Sequence, residues 1–473
     1  MNELTSTGMV SLLTSPLMAG ASHLDRLAVI GATQQWTWRQ IHLASIALAK
    51  QFDETSTICN LCNTRVGFLV TWLAALRRGC LQLLPPSGGH ADLTAILKAC
   101  SGAMVIVDDE QLLHPQWKEH ARCLINAPAE IQWSLSDEVA LWTPDWNLPT
   151  VRLYTSGSTG TPEPQMRTLG QLARGAQVLG SRLNEEVDGG LITIKSIVCS
   201  VSPQHMFGLE TSVMLSLVHA IPVLDRRPLL PADVNTALKQ LAIGALWIAT
   251  PLHLQALVTA GDEVINCNLV IASTMALNPV VAEHAERLAK APVLEIYGST
   301  ETGVLAMRRT ARDVSWQPVH GVHIDISESD AQVSGSHFPS PQRLTDHILP
   351  DKYGNFKLLG RHGDMIKIAG RRTSLAGLNS LLDDLPGLTD GVFYLPTTGA
   401  FADRLVLIHA GVTRLNAEAT QRWLRERIDP VFLPRGIIQV LSLERTDSGK
   451  LSRATLDRIY AAWRSERKSD EPV

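Results

Sequence analysis

Apolar positions recur at helical spacing over residues 36 to 52, WTWRQIHLASIALAKQF, and again over residues 66 to 78, VGFLVTWLAALRR. Gly79 is placed to end the second helix. The run CLQLLPP then reads as a buried strand stopped by prolines, and LTAILKAC followed by MVIVDD repeats the helix-then-strand order. Further along, LITIKSIVCSV, AIPVLD, GALWIAT, NLVIAST and APVLEIYG all read as buried strands. This alternation predicts an α/β fold with largely parallel sheets. Near the end, DKYGNFKLLG reads as a hairpin turning at Tyr353-Gly354-Asn355, and short strands and helices follow Arg361. A boundary at 360–364 is expected. It separates a large multi-subdomain N-terminal domain, residues 1–360, from a small α+β C-terminal domain, residues 361–473. No fixed-period repeat or low-complexity segment interrupts the pattern.

The composition adds exclusions. At 473 residues, with 45% hydrophobic and 19% charged positions, the chain has the make-up of a folded protein of two or more domains. A formal charge of -4 gives no global electrostatic case for nucleic acid or an anionic membrane surface. No stretch approaches the ~20 apolar residues of a membrane span, and MNELTSTGMVSLLTSPLMAG lacks the basic region and cleavage site of a signal peptide. Seven scattered cysteines suit a reducing compartment, so the expected location is the cytoplasm. Cys59 and Cys62 form one C-x-x-C with no second pair at zinc spacing, and are read as core.

Candidate chemistry begins at Tyr154-Thr155-Ser156-Gly157-Ser158-Thr159-Gly160-Thr161-Pro162. Hydroxyls and backbone N–H groups packed this densely, with glycines allowing close approach, suit a polyphosphate. A plain Ser/Thr/Gly surface loop has the same composition. It is not a Walker A loop, because G-x-x-x-x-G-K-[ST] is absent. In Tyr297-Gly298-Ser299-Thr300-Glu301-Thr302-Gly303, the tyrosine has a face for stacking and the glutamate a hard oxygen for a divalent cation. The alternative is a polar turn after a strand. His205, in Ser202-Pro203-Gln204-His205-Met206-Phe207-Gly208, is on composition either a packed core residue or a site residue.

Together these segments resemble the adenylate-forming superfamily of acyl-CoA synthetases, peptide-synthetase adenylation domains and luciferases. Its loop reads YTSGSTGTPK and its later segment YGSTETG. The resemblance runs over nearly the whole chain. It implies that Thr155, Ser156, Gly157, Ser158, Thr159 and Gly160 hold the ATP phosphates, that Thr300 meets the α-phosphate, and that Glu301 holds Mg²⁺. Tyr297 and Gly298 then lie at the adenine, and Ser273 and Thr274, in Ile271–Leu277, stand where the family has a glycine-rich adenine loop. Asp346, after Thr345, and Arg361, after Gly360, match ribose-binding positions. Gly363 matches the hinge of a mobile C-terminal domain. Gly370, in MIKIAGRR, matches the face turned to the site during thiol transfer. His205 matches the histidine beside the acyl pocket, and Lys450, in RTDSGKLSR, the catalytic lysine.

The implied activity is ATP-dependent conversion of an aromatic or fatty acid to acyl-AMP. The acyl group then passes to the pantetheine thiol of CoA or of a separate acyl carrier protein. A non-catalytic homologue that binds nucleotide or carrier protein is the alternative, and a light-producing oxygenase stands on fold analogy alone. Three departures bear on the choice: Glu163 replaces the loop lysine, residues 271–277 lack glycine, and LAGLNSLL lacks the family's acidic residue. A carboxylate repels triphosphate. Arg167 is therefore expected to supply the missing charge, so that Arg167→Ala raises the Michaelis constant for ATP.

Overall fold

The structure, a computed structural model, describes Ser15, Leu17, Val139 and residues 21–53, 57–85, 90–100, 102–119, 121–125, 142–155, 163–264, 266–327, 330–361, 365–368, 371–382, 384–396, 404–411, 415–445 and 451–469. Two compact units emerge: Met1–Asp325 with Gln332–Gln342, and Ile326–Ala331 with Arg343–Val473.

The first unit is built on two sheets. In one, the strands Arg122–Ile125, Ala103–Val107, Thr57–Asn60, Leu81–Leu84 and Pro149–Thr155 run parallel, and Glu163–Thr168 closes the edge antiparallel to Pro149–Thr155. In the other, Val293–Ser299, Cys267–Ala272, Ala245–Ala249, Ser196–Cys199, Val223–Leu224 and Leu27–Ile30 are parallel neighbours. Gly303–Arg308 and Gln35–Thr37 flank them antiparallel. Strands covered on both faces must be apolar throughout, which is why Ala103–Val107 and Ala245–Ala249 are buried at every position.

The early helices form where the periodicity places them. Trp38–Ala49 starts at a capping box between Thr37 and Gln40, and Arg65–Arg77 starts at Thr64, whose backbone N–H donates to Asp108 at 2.7 Å. The two helices pack together. Arg65–Arg77 is apolar all round, burying Phe68, Leu69 and Trp72 completely, each worth about 1.5–3 kcal/mol against exposure. Gly79 adopts φ +65° just beyond it, the left-handed stop expected there. The C-x-x-C is core: Cys59 and Cys62 are fully buried, and all seven cysteines are free thiols.

One strand is shorter than its apolar run. Of LITIKSIVCSV only Ser196–Cys199 is strand, and Leu191–Thr193 is a 3₁₀ turn. Gly189 and Gly190 both adopt positive φ, and the Asn184 side chain accepts from Leu191 N–H at 2.9 Å. Local turn chemistry there overrides the apolar pattern. Among the described residues no helix is long and apolar enough to cross a membrane.

The second unit carries the hairpin Asp346–Pro350/Phe356–Arg361. Its turn is set by Gly354 at φ +83° and by Asp351, which accepts from Tyr353 and Asn355 N–H. A second hairpin pairs Met365–Ile368 with Arg371–Ser374. In the sheet of Asp390–Tyr394, Val406–Ala410 and Gly436–Val440 the central strand Val406–Ala410 is buried at all but its last position. Leu405 and Leu407 face one apolar cluster and Val406 and Ile408 the other, the period-two pattern of a strand.

Candidate active site

The Ser/Thr/Gly segment joins two paired strands. Thr155 lies opposite Glu163, Tyr154 opposite Pro164 and Val151 opposite Arg167. Ser156, Gly157, Ser158, Thr159 and Gly160 lie outside the described residues. Arg167 sits four residues inward from Glu163, roughly 13 Å along the strand. It is only 2% exposed. Its guanidinium donates to the Thr300 carbonyl at 2.9 Å and to the His337 carbonyl at 3.5 Å. Burial pulls its pKa down, while the Glu210 and Glu301 carboxylates act against that pull. Arg167, expected at the triphosphate, is thus engaged with the Tyr297–Gly303 segment.

That segment is a tight turn between Val293–Ser299 and Gly303–Arg308, with Ser299 opposite Gly303. Thr302 is buried inside it. Its hydroxyl accepts from Ser299 N–H at 3.2 Å and lies 3.0 Å from the Gly303 carbonyl. Thr300 and Glu301 are half-buried at the tip. A Cβ on Gly298 would stand 2.1 Å from the Gly303 carbonyl oxygen, so the turn closes only around glycine. Tyr297 packs on Trp316, ring centroids 5.6 Å apart, and the Arg308 guanidinium carbon lies 4.4 Å from the Trp316 ring centroid.

Beside the turn, the Ser273 hydroxyl donates to the Ile296 carbonyl at 2.9 Å. Thr274 takes φ +88° in the loop 271–277 that contains no glycine. Glu295, unmarked by any motif, holds this loop: it accepts from Leu277 N–H at 2.8 Å, from Thr310 at 2.7 Å and from Arg308 at 2.8 Å. His205 precedes Met206–Gly208 and is half-buried, and Gln204 ties the segment to the Asn60 and Cys62 carbonyls. A π-helical stretch, Leu209–Met214, continues from there and turns Glu210 inward.

In the second unit Asp346 and Arg361 are direct register partners across the antiparallel strands Asp346–Pro350 and Phe356–Arg361. Gly363, Gly370 and Lys450 lie outside the described residues. The chain on either side of Lys450 is anchored: Arg445 bridges Leu451 and donates to Asp390 at 2.6 and 3.1 Å, and Arg453 donates to the Leu395 carbonyl at 3.3 Å. Tyr394 donates to Asp457 close by.

Comparison with known proteins turns this arrangement into a family assignment. The profile of the AMP-binding enzyme family matches residues 18–333, which include both motif segments of the first unit. The chain belongs to the AMP-binding enzymes. It is similar to enterobactin synthase component F of Shigella flexneri, at 24% identity over 91% of this chain and 38% of that protein. It thus spans 38% of that relative's length. It is also similar to a 4-coumarate–CoA ligase of Cereibacter sphaeroides, 23% identical over 63% of this chain and 69% of the relative. Among solved structures, o-succinylbenzoate CoA synthetase of Bacillus subtilis with its acyl-adenylate superposes with a TM-score of 0.79 at 16% identity, covering 94% of this chain and 98% of that one. An anthranilate CoA ligase bound to anthranoyl-AMP gives 0.78 at 14% identity, covering 96% and 98%. The fold is therefore that of adenylate-forming enzymes, a large N-terminal domain with parallel sheets and a smaller C-terminal one.

Within this AMP-binding enzyme the structure brings Arg167, Thr300 and Glu301 together and adds three residues that carry no motif: Glu210, Glu295 and His337. A glutamate inside the apolar run MFGLETSVMLSLV was the one sequence signal available for Glu210.

Proposed function

We propose that the enzyme activates a carboxylic acid with ATP to acyl-AMP and passes the acyl group to a pantetheine thiol, on CoA or a carrier protein. The observation that carries this reading is the 2.9 Å bond from Arg167, on the strand leaving the Ser/Thr/Gly segment, to Thr300 in the second motif turn. It supports reading the two motifs, one suited to phosphate and one to a cation, as parts of one site.

In the first step a carboxylate oxygen attacks the α-phosphorus, the new P–O bond forms, and the bond to pyrophosphate breaks. Charge grows on the phosphate oxygens, so catalysis is positioning plus electrostatic stabilisation. Residues 155–160 hold the phosphates, Thr300 hydrogen-bonds the α-phosphate, and Tyr297, Gly298 and Ser273 line the adenine. Asp346 and Arg361 take the ribose hydroxyls. Among the described residues no three His, Cys, Asp or Glu side chains gather to cage a metal ion. A lone carboxylate, Glu301, completed by phosphate oxygens, is the donor set that fits Mg²⁺. Bound there, Mg²⁺ neutralises phosphate charge. The Lys450 ammonium stabilises the oxygens around the reacting phosphorus, and His205 borders the acid.

In the second step the thiol loses its proton to solvent, its sulfur attacks the acyl carbon, and AMP departs. The functional division falls at 360–361, with residues 361–473 turning about Gly363 and presenting Gly370 to the thiol. Seven free cysteines and the supply of ATP and CoA favour the cytoplasm.

Pyrophosphate–ATP exchange dependent on added carboxylic acid tests the reading, with hydroxamate trapping across aromatic and fatty acids to find the substrate. Exchange with at least one acid is expected. Nucleotide binding without exchange across the whole panel supports the non-catalytic homologue instead, the reading that Glu163 in place of the loop lysine favours.

A further inference from the structure

We propose that Arg167 and Glu210 act as a positioning pair beneath the Thr300–Val304 turn, holding Thr300 and Glu301 for adenylation. This rests on the function proposed above and changes the role expected of Arg167, from a phosphate contact to a support for the residues that make such contacts.

The turn is gripped at both ends. Arg167 donates to the Thr300 carbonyl at 2.9 Å. Glu210 accepts from Val304 N–H at 3.2 Å, and His337 Nε2 stands 2.7 Å from the Val304 carbonyl. A carbonyl only accepts, so Nε2 carries the proton. Burial holds His337 down to about 4, leaving the ring neutral. Arg167 also bonds the His337 carbonyl at 3.5 Å, which closes the set of contacts into one network.

The fold clears space for the carboxylate. A Cβ on Gly303 would stand 2.9 Å from Glu210 Oε1, and Gly303 itself takes φ +70°. A Cβ on Gly175, on the helix Leu169–Glu186, would stand 2.5 Å from the same oxygen. The π-helical stretch gives Glu210 its inward direction. Glu210 is 4% exposed and Arg167 2%, so both ionisable groups are withdrawn from water. Buried ionisable groups seldom stabilise a fold better than well-packed apolar side chains of equal volume, so stability alone does not account for them. Each is aimed at a backbone group of the turn, and the turn carries the two residues assigned to the α-phosphate and Mg²⁺.

The experiment compares wild type with Arg167→Gln, Glu210→Leu and the double variant. It measures calorimetric affinity for ATP and for AMP, kcat of acid-dependent exchange, and thermal unfolding. A displaced turn disturbs the α-phosphate site, which AMP and ATP share. Arg167→Gln is therefore expected to weaken both nucleotides alike and to lower kcat by about tenfold or more at saturating ATP. Because the two residues serve one turn, the double variant is expected to lose little beyond the worse single variant. Loss of ATP affinity with AMP affinity intact overturns the inference, since Arg167 then meets the outer phosphates. So do wild-type affinities and kcat in all three variants, or a fall in melting temperature alone. If Arg167→Gln fails to fold, the same readings on Glu210→Leu, which removes the acceptor for Val304 N–H, decide. A wild-type protein that binds neither nucleotide overturns the proposed function along with the inference; normal binding by the variants overturns the inference alone.

Discussion

Glu210 is enclosed by the Leu169–Glu186 helix, the Thr300–Val304 turn and its own π-helical stretch, and burial pushes its carboxyl up to about 7. The Arg167 charge and Val304 N–H resist that shift but do not cancel it. An unfolded chain returns the group to its ordinary 4.5. Between these values the folded protein keeps a proton that the unfolded chain releases, so the contribution of Glu210 to stability falls as pH rises through that window. The shift corresponds to about 3 kcal/mol over the whole interval. Glu210→Gln removes this ionisation while keeping an oxygen for Val304 N–H. Chemical denaturation from pH 4.5 to 7 is expected to show the stability of wild type relative to Glu210→Gln falling as pH rises. Parallel curves would mean that Glu210 does not titrate in this range. His337, held near 4 in the fold against its ordinary 6.5, takes up a proton on unfolding in this same window and acts in the opposite direction, but it does so in both proteins and drops out of their difference.

Short elements impose constraints of a different kind. The loop after Cys267–Ala272 turns through Thr274 at φ +88°, a conformation that costs a residue bearing Cβ about 1–3 kcal/mol. The Ser273–Ile296 and Leu277–Glu295 hydrogen bonds hold the loop to the adjoining strand, which accounts for the persistence of the strain. Thr274→Gly is expected to raise stability by about 1 kcal/mol in denaturant titration, because glycine takes this φ without steric penalty. A loss of stability would show that the threonine side chain contributes more than its backbone costs. The Tyr297–Gly303 turn offers the contrasting case. Glycine is already present at 298, where a Cβ would stand 2.1 Å from a carbonyl oxygen. Both loops serve nucleotide binding in the proposed function, yet one has glycine at its tight position and the other has threonine.

For the chain as a whole, the proposed reaction divides between its two parts, and two substitutions are expected to separate the half-reactions. Lys450→Ala is expected to lower adenylation by about 10²–10³, the usual effect of losing one preorganised charge, while sparing thioester formation from supplied acyl-AMP. Gly363→Pro narrows φ at the proposed hinge and is expected to do the reverse, retaining exchange while slowing transfer to the thiol. Single-turnover assays of each half-reaction check both. Equal loss of the two halves in either variant would remove the role assigned to that residue. The ends of the segment carrying Lys450 are secured within the second unit by Arg445, Asp390 and Arg453, which suits a lysine that must be delivered to one place.

Much of this organisation was legible in the order of residues. Helices such as Trp38–Ala49 and Arg65–Arg77 and strands such as Ala103–Val107 follow from apolar periodicity and local caps, because burial of a face and closure of a first turn are short-range requirements. The hairpin at Tyr353-Gly354-Asn355 follows from its turn residues for the same reason. The two motifs of the first unit were equally visible, since each is contiguous and each needs particular residue types within a few positions. The tie between them was not. Arg167 looks like a free cation beside a phosphate loop until the antiparallel strand carries it inward beneath Thr300, and Glu210 looks like an intruder in an apolar helix until the fold sets it under Val304. Local chemistry is written in neighbouring residues, whereas the partner of a buried charge is chosen by strand order and helix packing. Those bring together groups far apart in the chain, and no local pattern records them.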